Sequence, residues 1–158
     1  MTVIEELAAF AVEPIQRTPA RQHLLRNVII DTIACMTAGR ETHLGWAATR
    51  PRDDEASRRR PATIGGVGDA TIERAAYVNT YLANALDYEP VGPEGHLIAS
   101  VVPAVLAFAE AHDIPGTEML DAVAVGVEAG GRVGLAIRRP AYRTCRGCRA
   151  SRSAPPRR

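Results

Sequence analysis

Asp87, Glu89, Glu94 and His96 stand within one short stretch, Asp87-Tyr-Glu-Pro-Val-Gly-Pro-Glu-Gly-His96. A carboxylate and an imidazole that converge on one pocket can serve as base and acid in proton abstraction or elimination. Histidine near its ordinary pKa takes either part close to neutrality. The same residues have a plainer reading, in which Asp87 caps a backbone group while Glu89 and Glu94 face solvent. One His with three carboxylates is also a possible set of hard metal ligands, but the spacing matches no recognised site and no metal is expected. His23, His43 and His112 are isolated and expected at the surface or at helix ends. Cys145-x-x-Cys148 is a single pair, without the further ligands that zinc needs or a thioredoxin-like setting. All 19 basic residues are Arg, so no lysine is present for Schiff-base chemistry.

The elements that must position these groups read as helices almost throughout. Residues 3–12 place Ile4, Leu7, Ala8 and Ala11 on one face at helical spacing. A long second helix is expected from Thr18 as N-cap and Pro19 at the first helical position, with a stripe of Leu25, Ile29 and Ile33 and a stop at Gly39. A short helix is expected around Leu44–Ala48. Residues 50–61 read as a charged loop; its Arg58–Arg60 run could grip a phosphate but fits simple exposure as well. Ala62–Gly68 is a Gly-rich extended piece that matches neither a phosphate loop nor a dinucleotide turn. Asp69 is the expected cap of a helix carrying Ile72, Ala76, Asn79, Ala83 and Leu86.

The Pro- and Gly-rich stretch 87–96 then makes a shaped loop, a usual place for functional groups on a rigid scaffold. Ser100 is the expected cap of a helix apolar nearly all round, and so buried, with Pro103 in its first turn. Pro115-Gly116 breaks it, and Thr117 caps a last helix to about Ile137. Gly126, Gly130 and Gly134 recur on one face of that helix, where their lack of a side chain lets another helix approach closely. No βαβ alternation is visible, which disfavours an α/β sheet and leaves an all-α, bundle-like fold.

The 158 residues suit one domain, and the formal net charge of +1 predicts no polyanion partner. That value sums −7 over residues 1–137 and +8 over residues 138–158, an acidic body with an Arg-rich tail. The three cysteines give no disulfide framework. There is no basic N-terminal region before a long apolar run, and the apolar runs are broken too early for a membrane span. A cytoplasmic protein that engages neither nucleic acid nor membrane is expected.

Seven segments, in order, resemble the opening of the MmgE/PrpD family. They are Glu6-Leu-Ala-Ala-Phe10, Ile30-Asp-Thr-Ile-Ala-Cys-Met-Thr-Ala-Gly39, Ala62-Thr-Ile-Gly-Gly66, Ala75-Ala-Tyr-Val-Asn79 and Ala83-Asn-Ala-Leu-Asp-Tyr88. His96 followed by Ser100-Val-Val-Pro-Ala-Val-Leu-Ala-Phe-Ala-Glu110, and Glu128-Ala-Gly-Gly-Arg-Val-Gly134, complete the set. The family includes 2-methylcitrate dehydratase and cis-aconitate decarboxylase, and an iminodisuccinate epimerase is related. The resemblance implies a mostly helical domain, a homodimer, no metal or other cofactor, and acid–base chemistry on a small polycarboxylate.

Residue by residue, Asp87 matches the first Asp of the family's Leu-Asp-Phe/Tyr-Asp-Asp motif, and His96 matches the loop histidine before the buried helix. His96 is thereby the candidate for proton transfer and Asp87 for orienting it or binding substrate. Glu89 and Arg132 are candidates for holding the substrate. Asn84 stands where many members have His, Glu89 and Pro90 replace the next two Asp residues, and Leu97 replaces Pro. The resemblance covers the N-terminal part of the family over residues 1–137. Further family active-site Lys and Tyr residues and a smaller lid domain have no counterpart in these 158 residues, so little turnover is expected from them alone. Residues 138–158 are expected to be a disordered or out-of-frame tail.

Overall fold

The structure, a computed structural model, describes residues 2–49, 62–63, 69–92 and 95–141. Glu94, the Arg58–Arg60 run, Gly65–Gly68 and the Cys145/Cys148 pair lie outside these residues. Six helices and one two-residue ribbon make up the described chain. The all-α expectation holds. Among the described residues, no helix is long and apolar enough to cross a membrane.

Helix α1 (Val3–Ala11) opens with a capping box: Thr2 N–H donates to Glu5 Oε2 at 2.7 Å, and Glu5 N–H donates to Thr2 Oγ1 at 3.3 Å. This reciprocal pair satisfies two of the donors that a helix start leaves open. Helix α2 (Pro19–Gly39) starts as expected, with Thr18 Oγ1 accepting from Arg21 N–H and Pro19 in the first turn. Its buried face is Ile29, Thr32, Cys35, Met36 and Gly39, whereas Ile33 is 41% exposed. Two steps of four residues overrun a 3.6-residue turn, while alternating steps of four and three stay on one face. Thr32 fits inside because its hydroxyl donates to the Val28 carbonyl at 2.7 Å.

Helix α3 (His43–Ala48) is capped by Thr42, whose Oγ1 accepts from Gly45 N–H. Strands β1 (Ala62–Thr63) and β2 (Asp69–Ala70) pair antiparallel, Ala62 with Ala70 and Thr63 with Asp69. Helix α4 (Ile72–Asn84) is capped by Thr71, whose Oγ1 accepts from Arg74 N–H. Asp69 is therefore a strand residue and not the cap. The helix also ends before Leu86, which moves Asn84 to its last position.

Helix α5 (Leu97–His112) begins three residues earlier than Ser100, directly after His96. Pro103 consequently lies inside the helix, fully buried. An interior Pro costs about 3 kcal/mol through its missing N–H and ring clash, a cost that only a well-packed helix offsets. Packing supplies that here, because α5 is central. Ala99 and Ala107 meet Met36 of α2 and Val78 and Leu82 of α4 in one core cluster. Ile98 and Val102 meet Ile29, Leu120 and Val123 in a second.

Helix α6 (Gly116–Ala141) supplies Leu120 and Val123, and its backbone runs past Ile137. The expected close approach is real, and it lies within the chain. A Cβ on Gly126 would stand 2.7 Å from Val101 Cγ1, and one on Gly130 would stand 2.6 Å from Leu97 Cδ2. Helix α5 thus fills this part of the glycine face, and that part is not open to a partner.

Candidate active site

Three elements converge at the C-terminal end of α4 and the start of α5. Between them the chain turns at Asp87, whose φ is +56°, a left-handed conformation that Asp tolerates better than most residues. Gly95 sits at φ +101° and closes the loop through two hydrogen bonds with Gly92, N–H to O at 3.0 and 3.1 Å. His96 follows immediately as the residue before α5, so a rigid helix start holds it.

The loop brings Asp87, Glu89 and His96 together. Glu89 Oε1 lies 2.6 Å from His96 Nδ1, and Asp87 Oδ1 lies 3.5 Å from the same nitrogen. Their burial differs sharply: the Glu89 side chain is 0% exposed, that of His96 50% and that of Asp87 78%. The solvent-facing reading of Glu89 is thus overturned. Its place is behind the ring, and Oε1 is not free to meet a substrate. Asn84 joins the group, its Nδ2 donating to Glu89 Oε1 at 2.5 Å and lying 3.3 Å from His96 Nδ1. Among the described residues Glu89 Oε2 is buried with no hydrogen-bond partner.

Burial pushes the Glu89 carboxyl up. Hydrogen bonds from Asn84, from its own backbone N–H and from His96, together with the His96 charge, outweigh that and hold it below its ordinary range. Cys35 on α2 is a buried free thiol, pushed up by burial and by the Asp31 and Glu89 carboxylates. A thiol kept protonated is a poor nucleophile.

His96 opens on a cavity of about 350 Å³ lined by Leu44, Tyr77, Thr80, Tyr81, Asn84, Ala85, Ala99 and Ser100. Hydroxyls from α4 and from the first turn of α5 therefore surround one flank of the imidazole. Ser100 reaches this cavity because α5 starts early; as an N-cap it would have stood outside the helix. Asn84 and Tyr81 were missed as site residues. Their signal was the repeat Tyr77, Tyr81, Asn84, a polar stripe on the α4 face opposite the buried Ala75, Val78 and Leu82.

Arg132 is not brought to this cluster. Its Nε donates to Glu128 Oε1 at 2.8 Å, and its guanidinium stacks 4.4 Å from the Phe10 ring centroid. It sits two positions beyond Gly130, which packs on α5, so it projects from another side of α6.

Asp87, Glu89 and His96 each offer one ligand atom within 4.8 Å of the others, a spacing that a divalent cation could bridge. Glu89 Oε1 already accepts two N–H bonds, so a cation at that oxygen would displace the Asn84 amide and the ring proton.

A family model, the MmgE/PrpD N-terminal domain, matches residues 5–150. The chain belongs to the MmgE/PrpD family. The match runs beyond Ile137, where the resemblance read from individual segments stops, and α6 likewise continues to Ala141. No curated protein and no solved structure matches the chain. Within this MmgE/PrpD domain the loop histidine and the Asp87 carboxylate stand side by side, with Glu89 buried next to the ring.

Proposed function

We propose that this chain carries the proton-transfer part of an MmgE/PrpD-type lyase site, acting on a small polycarboxylate of the 2-methylcitrate or cis-aconitate class by loss of water or carbon dioxide. The observation that carries this reading is His96, held against two carboxylates at the edge of a hydroxyl-lined cavity. In a dehydration, His96 takes the proton alpha to a carboxylate. The electron pair left on carbon forms the double bond and expels hydroxide, which takes that proton back from the imidazolium and leaves as water. Asp87, exposed and next to the ring, orients His96 or engages a substrate hydroxyl. Decarboxylation uses the same groups to deliver a proton to the carbon that loses carbon dioxide.

A polycarboxylate also needs positive character in the site. The start of α5 supplies it: no side chain caps this helix, and its first-turn N–H groups and positive dipole end favour an anion. Ala99 and Ser100 of that turn line the cavity. The homodimer implied by the resemblance belongs to this proposal.

The test is binding, since little turnover is expected from these 158 residues. 2-Methylcitrate and cis-aconitate should move the ring signals of His96 in an NMR titration and leave those of His23 and His112 in place. His96→Ala should abolish binding with the fold intact. If neither acid moves His96 at millimolar concentration, the lyase reading is overturned. An epimerase of the same family would share the proton abstraction but return the proton to carbon. Deuterium uptake from solvent without an unsaturated product would mark that outcome.

A further inference from the structure

The bonds around His96 bear on which of its nitrogens carries the proton. A carboxylate oxygen only accepts, so the 2.6 Å contact between Glu89 Oε1 and His96 Nδ1 requires a proton on Nδ1. The Asn84 amide cannot reverse this. Its nitrogen points at Glu89 Oε1, and the flipped amide would set two acceptors against each other at 2.5 Å. The amide nitrogen near Nδ1 is a donor only, so it does not take the ring proton. With Nδ1 protonated, a neutral ring has a bare Nε2.

We propose that Glu89 is a positioning residue: it fixes His96 as the Nδ1–H tautomer and leaves Nε2 as the proton acceptor at the cavity, while Asn84 holds the Glu89 oxygen in place. Asp87 cannot do this alone, because its longer contact is open to solvent. Glu89 is shielded from water, so no solvent molecule competes for Oε1 and the bond is strong in its low-dielectric setting. Burial of the carboxylate carries a desolvation cost and leaves its second oxygen unpartnered, yet the bonds from Asn84, the backbone and His96 outweigh that cost. As an orienting device the arrangement is effective. When Nε2 takes a substrate proton, the imidazolium keeps its Nδ1–H on Glu89, whose charge stabilises the cation without itself accepting the proton, as in serine-protease triads.

The acceptor role rests on the lyase reading, whereas the tautomer does not, and the experiment separates the two. The full 158-residue chain, labelled with 15N-histidine, has four rings to resolve, and His96→Gln assigns the one of interest. Above the titration of the ring, long-range proton–nitrogen spectra should show His96 protonated at Nδ1, against the Nε2–H form that a histidine side chain favours in water. In Glu89→Gln the Nδ1–H signal should be lost in favour of Nε2–H or a mixture, because a neutral amide can donate as well as accept. A wild-type His96 protonated at Nε2 overturns the proposal. So does an unchanged tautomer in a folded Glu89→Gln. Should that variant fail to fold, the wild-type spectrum still decides. An Nδ1–H ring that ignores every polycarboxylate would overturn the lyase reading and leave the positioning role standing.

Discussion

Glu89 makes one residue-scale consequence measurable in acid. Its folded pKa lies below the ordinary 4.5, with burial opposing and the Asn84, backbone and His96 bonds prevailing. A folded value below the unfolded one means that the charged form favours the fold. That contribution is complete above about pH 4.5 and is lost as pH falls through the lower folded value. Glu89→Gln carries no charge at any pH. It should be less stable than wild type near neutrality by about 1.5–3 kcal/mol, the range for hydrogen bonds to a charged group. The gap should close on acidification below about pH 4.5, and urea midpoints of the two proteins across that range measure it. A difference that stays constant with pH would show that Glu89 contributes by shape alone. Cys35, pushed upward by its burial and by the Asp31 and Glu89 carboxylates, plays no part in this titration.

At the scale of elements, caps and periodicity read directly from the sequence wherever they depend on neighbours along the chain. Thr18 with Pro19 set the start of α2, and the apolar run of α5 announced its burial. The failures came where tertiary packing decided. Ile33 yielded its buried place to Thr32, Asp69 was drawn into a strand pair, and α5 unrolled back to Leu97 because its early turns pack on α6. His96 and Asp87 were legible as chemistry in a Pro/Gly loop. The burial of Glu89 was not, since it depends on the loop folding down onto α2, where Pro90 lines a cavity with Val28, Asp31 and Ala34. The α5–α6 contact offers a controlled test at two adjacent glycines. At Gly131 a Cβ meets nothing within 4 Å, so Gly131→Ala should stabilise by about 0.5–1 kcal/mol through helix propensity. At Gly130 a Cβ meets both methyls of Leu97, a half-buried side chain that must turn aside, so Gly130→Ala should gain less than Gly131→Ala, its helix-propensity gain offset by the displacement of Leu97. Leu97 adjoins His96, so Gly130→Ala should also shift the His96 ring signals and Gly131→Ala should not. Denaturation midpoints and the ring spectra together check the pair, and equal effects at both glycines would sink the close-approach account.

The molecule as a whole combines a near-zero net charge with large apolar side chains left outside. Leu24, Ile30, Trp46, Tyr77, Phe108 and Leu135 are all more than half exposed. Apolar surface of this kind promotes association, and a net charge of +1 offers little repulsion against it. Two attractive forces could act, and salt tells them apart. The +8 of residues 138–158 can pair with the −7 of residues 1–137 of another copy. That attraction fades once the Debye length falls to about 3 Å in 1 M salt. Apolar contact does not weaken in this way. The part of the glycine face at Gly126 and Gly130 cannot supply the contact, because α5 already covers it. We therefore expect the chain to run above its 16.9 kDa monomer mass in light scattering coupled to size exclusion, and to keep that mass at about 1 M salt, where charge pairing is screened. Dissociation to monomer in salt would assign the association to the tail, and a monomer at every salt concentration would remove the dimer from the proposed function.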